Sequence, residues 1–238
     1  MNFYLCKWIS ASYSWECAQT RIPATLLIHG ACNNKYIVYA KLSEARRLER
    51  LAEKQPFNEY LAAAVLRVDV LNGHVDSVIV LLAHWSEDFT TLRTLCKAGI
   101  APSRQHVPQP TAYARSCDVG FANVHHCWLS ELPPLLGRRE VCGLGADFDV
   151  TWPSVRDELA AFLLQARLAQ HVVLGLNVYG SRHDVENVWF NDMLPFLQSD
   201  VLDKINYKFH DIGRTFKRYN YRKMFSYVLI LRRRKPRT

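Results

Sequence analysis

The residues that most restrict the fold are the nine from His171 to Tyr179, His-Val-Val-Leu-Gly-Leu-Asn-Val-Tyr. A strand that is apolar on both alternating sets of side chains must be covered on both faces of its sheet. Ahead of it, Ser154-Val155-Arg156-Asp157 has the capping-box form, and Leu159, Phe162, Leu163 and Ala166 recur at helical spacing. Together they predict a helix over 154–168. After it, Asp184 caps a short helix over 185–193, which Pro195 bends or stops. Ile205 to His210 and Met224 to Leu231 then read as two closing strands. Helix, buried strand, helix, strand, strand is the pattern of an α/β domain.

The first half is less regular. Thr25 to His29 reads as a short buried strand that turns at Gly30, and Tyr36 to Tyr39 favours β structure. Leu42, Ala45, Leu48 and Leu51 repeat at helical spacing and predict an amphipathic helix over 43–54, ended by Pro56. Ala64 to Leu71 alternates like a strand, with Asn72-Gly73 as its turn. Val75 to Trp85 fits either a buried helix or a strand. Residues 99–116 carry Gly99, Pro102, Pro108 and Pro110 and read as a loop, and Asp118 to His125 reads as a strand. Pro133-Pro134 and the glycines at 137, 143 and 145 make the next stretch turn-rich. The expected division is an N-terminal extension over 1–60 and an α/β domain over 61–238.

Charge is unevenly distributed. Lys204 to Thr238 holds 12 Lys and Arg against one acid, Asp211, a net +11, while the remainder is −3. A basic cluster of this kind suits a phosphate-bearing partner, above all nucleic acid. The expected contacts are Arg214, Lys217, Arg218, Arg222 and Lys223, the last four in a loop between two strands, and Arg232, Arg233 and Arg234. Phe216, Tyr219 and Tyr221 are placed to stack on bases, whereas Phe209, Phe225 and Tyr227 alternate like core residues. Arg232 to Arg237 also has the form of a nuclear localisation signal.

Seven cysteines with no Cys-x-x-Cys pair fit reduced thiols in the cytosol or nucleus. Cys117, His125, His126, Cys127 and Cys142 lie close in sequence, but only His125 to Cys127 are tightly spaced. The cluster reads as buried thiols and a polar histidine pair, with no metal. No apolar run reaches the roughly 18 residues of a membrane span, and the N-terminus lacks the pattern of a signal peptide.

Val172 to Tyr179, Asp184 to Leu197, Ile205 to His210 and Phe225 to Leu231 resemble the C-terminal end of Rossmann-like S-adenosylmethionine-dependent methyltransferases. In that family the last helix is followed by a strand, a loop and a reversed final strand. Asp118 to Asn123 looks like the family's fourth strand, whose end lies beside the methyl donor. Val68 to Gly73 looks like its first strand and glycine turn, with one glycine where the family has two or three. The resemblance covers about 65–238. It implies a mostly parallel Rossmann-like sheet with a C-terminal antiparallel strand pair, and S-adenosylmethionine as cofactor. It puts Asp69, Asn72 and Gly73 at the cofactor and Asp118 and Asn123 at the reacting edge. A second frame takes Ile28 to Asn34 as the glycine turn and Asp76 to Leu82 as the fourth strand. The implied function is methyl transfer, on nucleic acid. The competing expectation is a protein without catalysis that binds nucleic acid or a host factor through its basic C-terminus.

Overall fold

The computed structural model describes residues 44–74, 76–82, 90–108, 123–179, 188–219 and 222–235. The chain divides into two compact units, Met1–Glu49 and Arg50–Thr238, and the second holds the seven-stranded sheet. The element order is α1 (Glu44–Leu71), β1 (Ser77–Leu82), α2 (Thr90–Lys97), β2 (Gln105–Pro108), β3 (Asn123–His125), α3 (Leu132–Leu136), β4 (Glu140–Thr151), α4 (Arg156–Gln165), β5 (Leu168–Tyr179), β6 (Tyr207–Tyr219) and β7 (Arg222–Arg233). Two π-helical stretches, Val188–Met193 and Phe196–Leu202, lie between β5 and β6.

The strands are ordered β3-β2-β1-β4-β5-β7-β6 across the sheet. Strands β1 to β5 pair in parallel, and β7 pairs antiparallel with both β5 and β6. This is the Rossmann-like α/β arrangement that the resemblance implies, closed by an antiparallel C-terminal pair. Strand order reverses between β1 and β4, the switch point where open α/β sheets receive ligands beyond the carboxyl ends of their strands.

Both faces are covered, as the buried run of β5 requires. One face carries Val80, Leu144, Leu174, Leu176 and Leu229 and packs on α3, α4 and the π-helical stretches. The other carries Ile79, Leu81, Val173, Val228 and Ile230 and packs on α1 and α2.

Helix α1 corrects the sequence reading most. It runs straight through Pro56, and the expected strand Ala64 to Leu71 is its last two turns. Phe57, Leu61, Val65 and Val68 are buried on one stripe, whereas Val70 is 64% exposed. The burial of that stripe outweighs the hydrogen bond lost at the proline. Asn72-Gly73 is the helix stop: Gly73 has φ 72°, and the His74 N–H donates to Asp69 O at 2.8 Å.

Gly143 and Gly145 are also not turn residues; they lie within β4. A Cβ at Gly145 would stand 2.9 Å from both Leu61 Cδ2 and Leu81 Cδ2, and one at Gly175 would stand 2.8 Å from Leu61 Cδ1. The bare backbone is what lets α1 settle against the sheet. Because Val65 meets Gly143, Leu61 meets Gly145 and Gly175, and Lys54 meets Asp147, α1 runs antiparallel to β4. The turn of α1 around Lys54 therefore lies at the carboxyl edge.

Candidate active site

One pleat beyond the glycines, the carboxyl edge turns polar. Asp147 of β4 pairs in register with Asn177 of β5, and Asn177 with Ser226 of β7. In-register neighbours point to the same face, and this face is the one under α1. Asn177 and Ser226 are 3% and 2% exposed. Burying such a row costs free energy unless each group finds a partner.

Helix α1 supplies the charge. Lys54 Nζ donates to Asp147 Oδ2 at 2.6 Å, with the two side chains 20% and 11% exposed. One turn on, Asn58 is buried, and its Oδ1 accepts from Thr91 of α2 at 3.1 Å. Asn58 Nδ2, a donor, and Asn177 Oδ1, an acceptor, are buried with no hydrogen-bond partner among the described residues. A buried orphan pair of opposite sense suits a ligand carrying one anionic and one cationic group.

The residues that the resemblance put at the cofactor lie at the other edge. Asp69 accepts two hydrogen bonds from Arg104, Nη2 to Oδ1 at 2.7 Å and Nη1 to Oδ2 at 2.8 Å. Arg104 Nε also donates to Ser77 O at 2.7 Å, and Nη2 reaches Cys142 Sγ at 3.4 Å. Asp69 holds the guanidinium in its charged form, and burial pushes the Cys142 thiol up. This cluster ties the end of α1 to the amino ends of β1 and β2. Asn72 Nδ2 donates to His171 O at 2.9 Å, and its Oδ1 accepts from His171 N at 2.8 Å. Gly73 ends α1. The frame moves accordingly: Val68 to Leu71 belongs to α1, and among the described residues Ser77–Leu82 is the first strand rather than a fourth, and Glu140–Thr151 is the fourth.

Asn123 begins β3, and its Nδ2 donates to Ser103 O at 2.9 Å and Gln105 O at 3.2 Å. Asp118, Cys117, the strand and turn expected over 25–34, and the cap at Asp184 lie outside the described residues. Asp147 was missed because the glycines before it read as turns. The legible signal was the uncharged run Val141 to Ala146 ending in an acid.

The His125 ring pairs with that of His106. The rings stack at 5.1 Å, with His106 Nδ1 2.8 Å from His125 Nε2 and Arg139 Nη1 3.0 Å from His106 Nε2. Arginine only donates, so His106 Nε2 accepts and its Nδ1 carries the proton given to His125. Burial, then the charges of His125 and Arg139, push His106 down to about 4. His125 is lowered too, by burial and then by Arg139 and His126. A histidine whose folded value is depressed stabilises the fold above its ordinary value and loses that stability as pH falls toward the folded value. The expected loss between pH 7 and pH 4.5 is about 2–3 kcal/mol. Urea midpoints at the two pH values check it, and His106→Gln should flatten the difference. An equally steep loss in the variant would remove His106 as the cause.

The basic tail is partly spent inside the protein. Arg233 stacks on the Tyr207 ring at 5.5 Å, donates to Tyr207 Oη at 3.1 Å and also donates to Leu168 O. Arg234 pairs with Asp203. Tyr227 is buried, as expected of a core residue. Lys217, Arg218, Arg222 and Lys223 are not in a loop: β6 and β7 extend to Tyr219 and Arg222 and include them. Tyr179, the last residue of β5, pairs with Met224, and the hairpin continues past it to the Tyr219–Arg222 pair. Arg218, Arg222 and Lys223 therefore stand beyond the carboxyl end of β5, on the edge that carries Asp147. Arg214 is further along β6, opposite Tyr227. No described helix is long and apolar enough to cross a membrane.

No family model matches the sequence, and no curated protein matches it. Solved structures match in fold. TYW2 of M. jannaschii, in complex with AdoMet, aligns with TM-score 0.46 at 12% identity over 67% of this chain and 70% of that one. A SAM-dependent methyltransferase from Archaeoglobus fulgidus aligns with TM-score 0.44 at 11% identity over 76% and 97%. The 1,6-didemethyltoxoflavin-N1-methyltransferase of Burkholderia thailandensis, with S-adenosylhomocysteine bound, aligns with TM-score 0.38 at 14% identity over 82% and 92%. At these identities the likeness concerns the fold alone.

Proposed function

We propose that this protein is an S-adenosylmethionine-dependent methyltransferase that acts on nucleic acid. The observation that carries the reading is the buried polar row Asp147–Asn177–Ser226 under Lys54, at the carboxyl edge beside the switch point between β1 and β4. The orphaned atoms fit the amino-acid end of the cofactor. Asn58 Nδ2 would donate to its carboxylate, and Asn177 Oδ1 would accept from its ammonium. When bound, the cofactor supplies an electrophilic methyl group on a sulfonium.

The chain's own residues then do the remaining work. Asp147, at the end of the fourth strand, accepts the hydrogen of the attacking N–H or O–H and takes its proton as the new bond forms. Lys54 holds that carboxylate in place. Helix α1 covers the row and keeps water from it. The basic hairpin tip, with Arg218, Arg222 and Lys223 on the same edge, supports a phosphate-bearing acceptor.

Thermal unfolding with and without S-adenosylmethionine tests the cofactor site. Ligand at about 100 times its dissociation constant should stabilise the fold by about 2.7 kcal/mol. For a domain of this size the midpoint should rise by about 5–10 °C. No rise in folded protein would retire the enzymatic reading and leave nucleic-acid binding without catalysis.

A further inference from the structure

At the opposite end of the β6–β7 hairpin, three basic side chains stand in one row. Lys208 of β6 pairs in register with Arg232 of β7, and Arg232 with His171 of β5. Alternation places all three on the α1 face: Ile230 and Val173, two residues from Arg232 and His171, pack there, while Phe209 and Leu231 pack on the other side. A β-bulge between Phe209 and Asp211 turns His210 toward the row, and its ring meets that of His171 at 5.6 Å. Lys208 and His210 are exposed, and Arg232 and His171 are half-buried.

Like charges facing one another across strands are destabilising, and three acids among the described residues are paired with other cations. Asp211 is taken by Arg67 at 2.6 Å, Glu140 by Arg167 at 3.2 Å, and Asp203 by Arg234. His171 Nδ1 has no hydrogen-bond partner among the described residues. Burial, then His210 and Arg232, hold His171 below its usual value. Adjacent strands are about 4.8 Å apart, so the row spans about 10 Å, wider than one phosphate can bridge.

We propose that Lys208, Arg232, His171 and His210 form a second phosphate-binding station for the backbone of single-stranded nucleic acid, remote from the reacting edge. The proposal rests on the nucleic-acid part of the functional reading and not on methyl transfer. Ten residues of β7 separate Arg232 from Arg222, and at about 3.4 Å per residue the two stations are about 34 Å apart. Stacked nucleotides rise about 3.4 Å each, so one strand of about ten nucleotides or more can touch both. Such a strand would be held at the tip, where the chemistry is, and anchored at the far end of the hairpin.

Fluorescence anisotropy with labelled oligouridylates of about 20 and about 6 nucleotides, over a salt series, tests this. The variant Lys208→Gln/Arg232→Gln removes two charges and leaves the carboxyl edge intact. For the long oligonucleotide, the slope of log affinity against log salt should fall by about 1.4, at about 0.7 per lost contact. Binding of the short one should change less than twofold, because the tip still holds it. An unchanged slope with the long strand would overturn the station, while loss of binding in Arg218→Gln/Arg222→Gln would keep the nucleic-acid reading. A wild-type protein that binds neither strand would overturn both. Displacement of the long strand by low-millimolar inorganic phosphate at matched ionic strength would reassign the row to a free anion. An unaltered melting temperature in the Lys208→Gln/Arg232→Gln variant checks that it is folded.

Discussion

Replacing Asp147 with Asn is expected to slow methyl transfer by about 10²–10⁴-fold, the range for removing a positioned acid–base group. The substitution keeps the shape of the side chain and one oxygen to accept from Lys54 Nζ, now 2.6 Å from Oδ2. The fold and the thermal shift with S-adenosylmethionine should therefore persist. Transfer of tritium from labelled S-adenosylmethionine to a mixed-sequence single-stranded oligonucleotide reads the rate. A variant within threefold of wild type would show that Asp147 does not serve the reaction. Lys54→Met gives the complementary result. It leaves a carboxylate that is only 11% exposed without its cation, so stability should fall along with activity.

The largest stability effect is expected far from that edge. Arg104→Met should destabilise the protein by about 3–5 kcal/mol, because it strands the Asp69 carboxylate. Asp69 is 6% exposed, and both of its oxygens are engaged by Arg104. The same guanidinium caps Ser77 O and touches Cys142, so three elements lose a common anchor. Urea unfolding measures the loss. The double change Arg104→Met/Asp69→Leu should recover much of it, since neither buried charge then remains. A loss below about 1 kcal/mol in the single variant would mean that the pair is solvated rather than buried.

The parts of the fold that were legible in sequence are those whose signal is local. The run from His171 to Tyr179 is buried on both faces because helices lie on both, and its continuous apolar character says so directly. The helical spacing of Leu159, Phe162 and Leu163 pointed to α4, although the helix starts at Arg156 with Val155 at its N-cap and no side-chain cap, and ends at Gln165. The two final β runs pointed to β6 and β7, though both strands proved longer than their apolar parts. Charged residues at the hairpin tip extend the pairing because an antiparallel ladder uses backbone groups, which side-chain hydrophobicity does not report.

Helix α1 was not legible. Pro56 reads as a stop, and Val68-Asp69-Val70 alternates like a strand. Local preference is a weak prior, and the burial of Phe57, Leu61, Val65 and Val68 against the sheet overrides it. The same contact inverts the meaning of Gly143 and Gly145. Read alone they are turn residues; under α1 they are the floor on which Leu61 rests. With those two elements misassigned, the first strand shifted, and Asp69, Asn72 and Gly73 lie at the opposite edge.

The sequence by itself determined that this chain is an α/β protein with a doubly covered strand, a closing β pair and a strongly basic C-terminus. Each of those is written in consecutive residues. Only the tertiary structure decided which acid stands at the carboxyl edge and which basic residues share one row. Asp147, Asn177 and Ser226 are neighbours through strand register, and Lys54 joins them through the packing of α1 across 93 residues of sequence. Register and helix placement arise from contacts between distant segments, so no local pattern carries them.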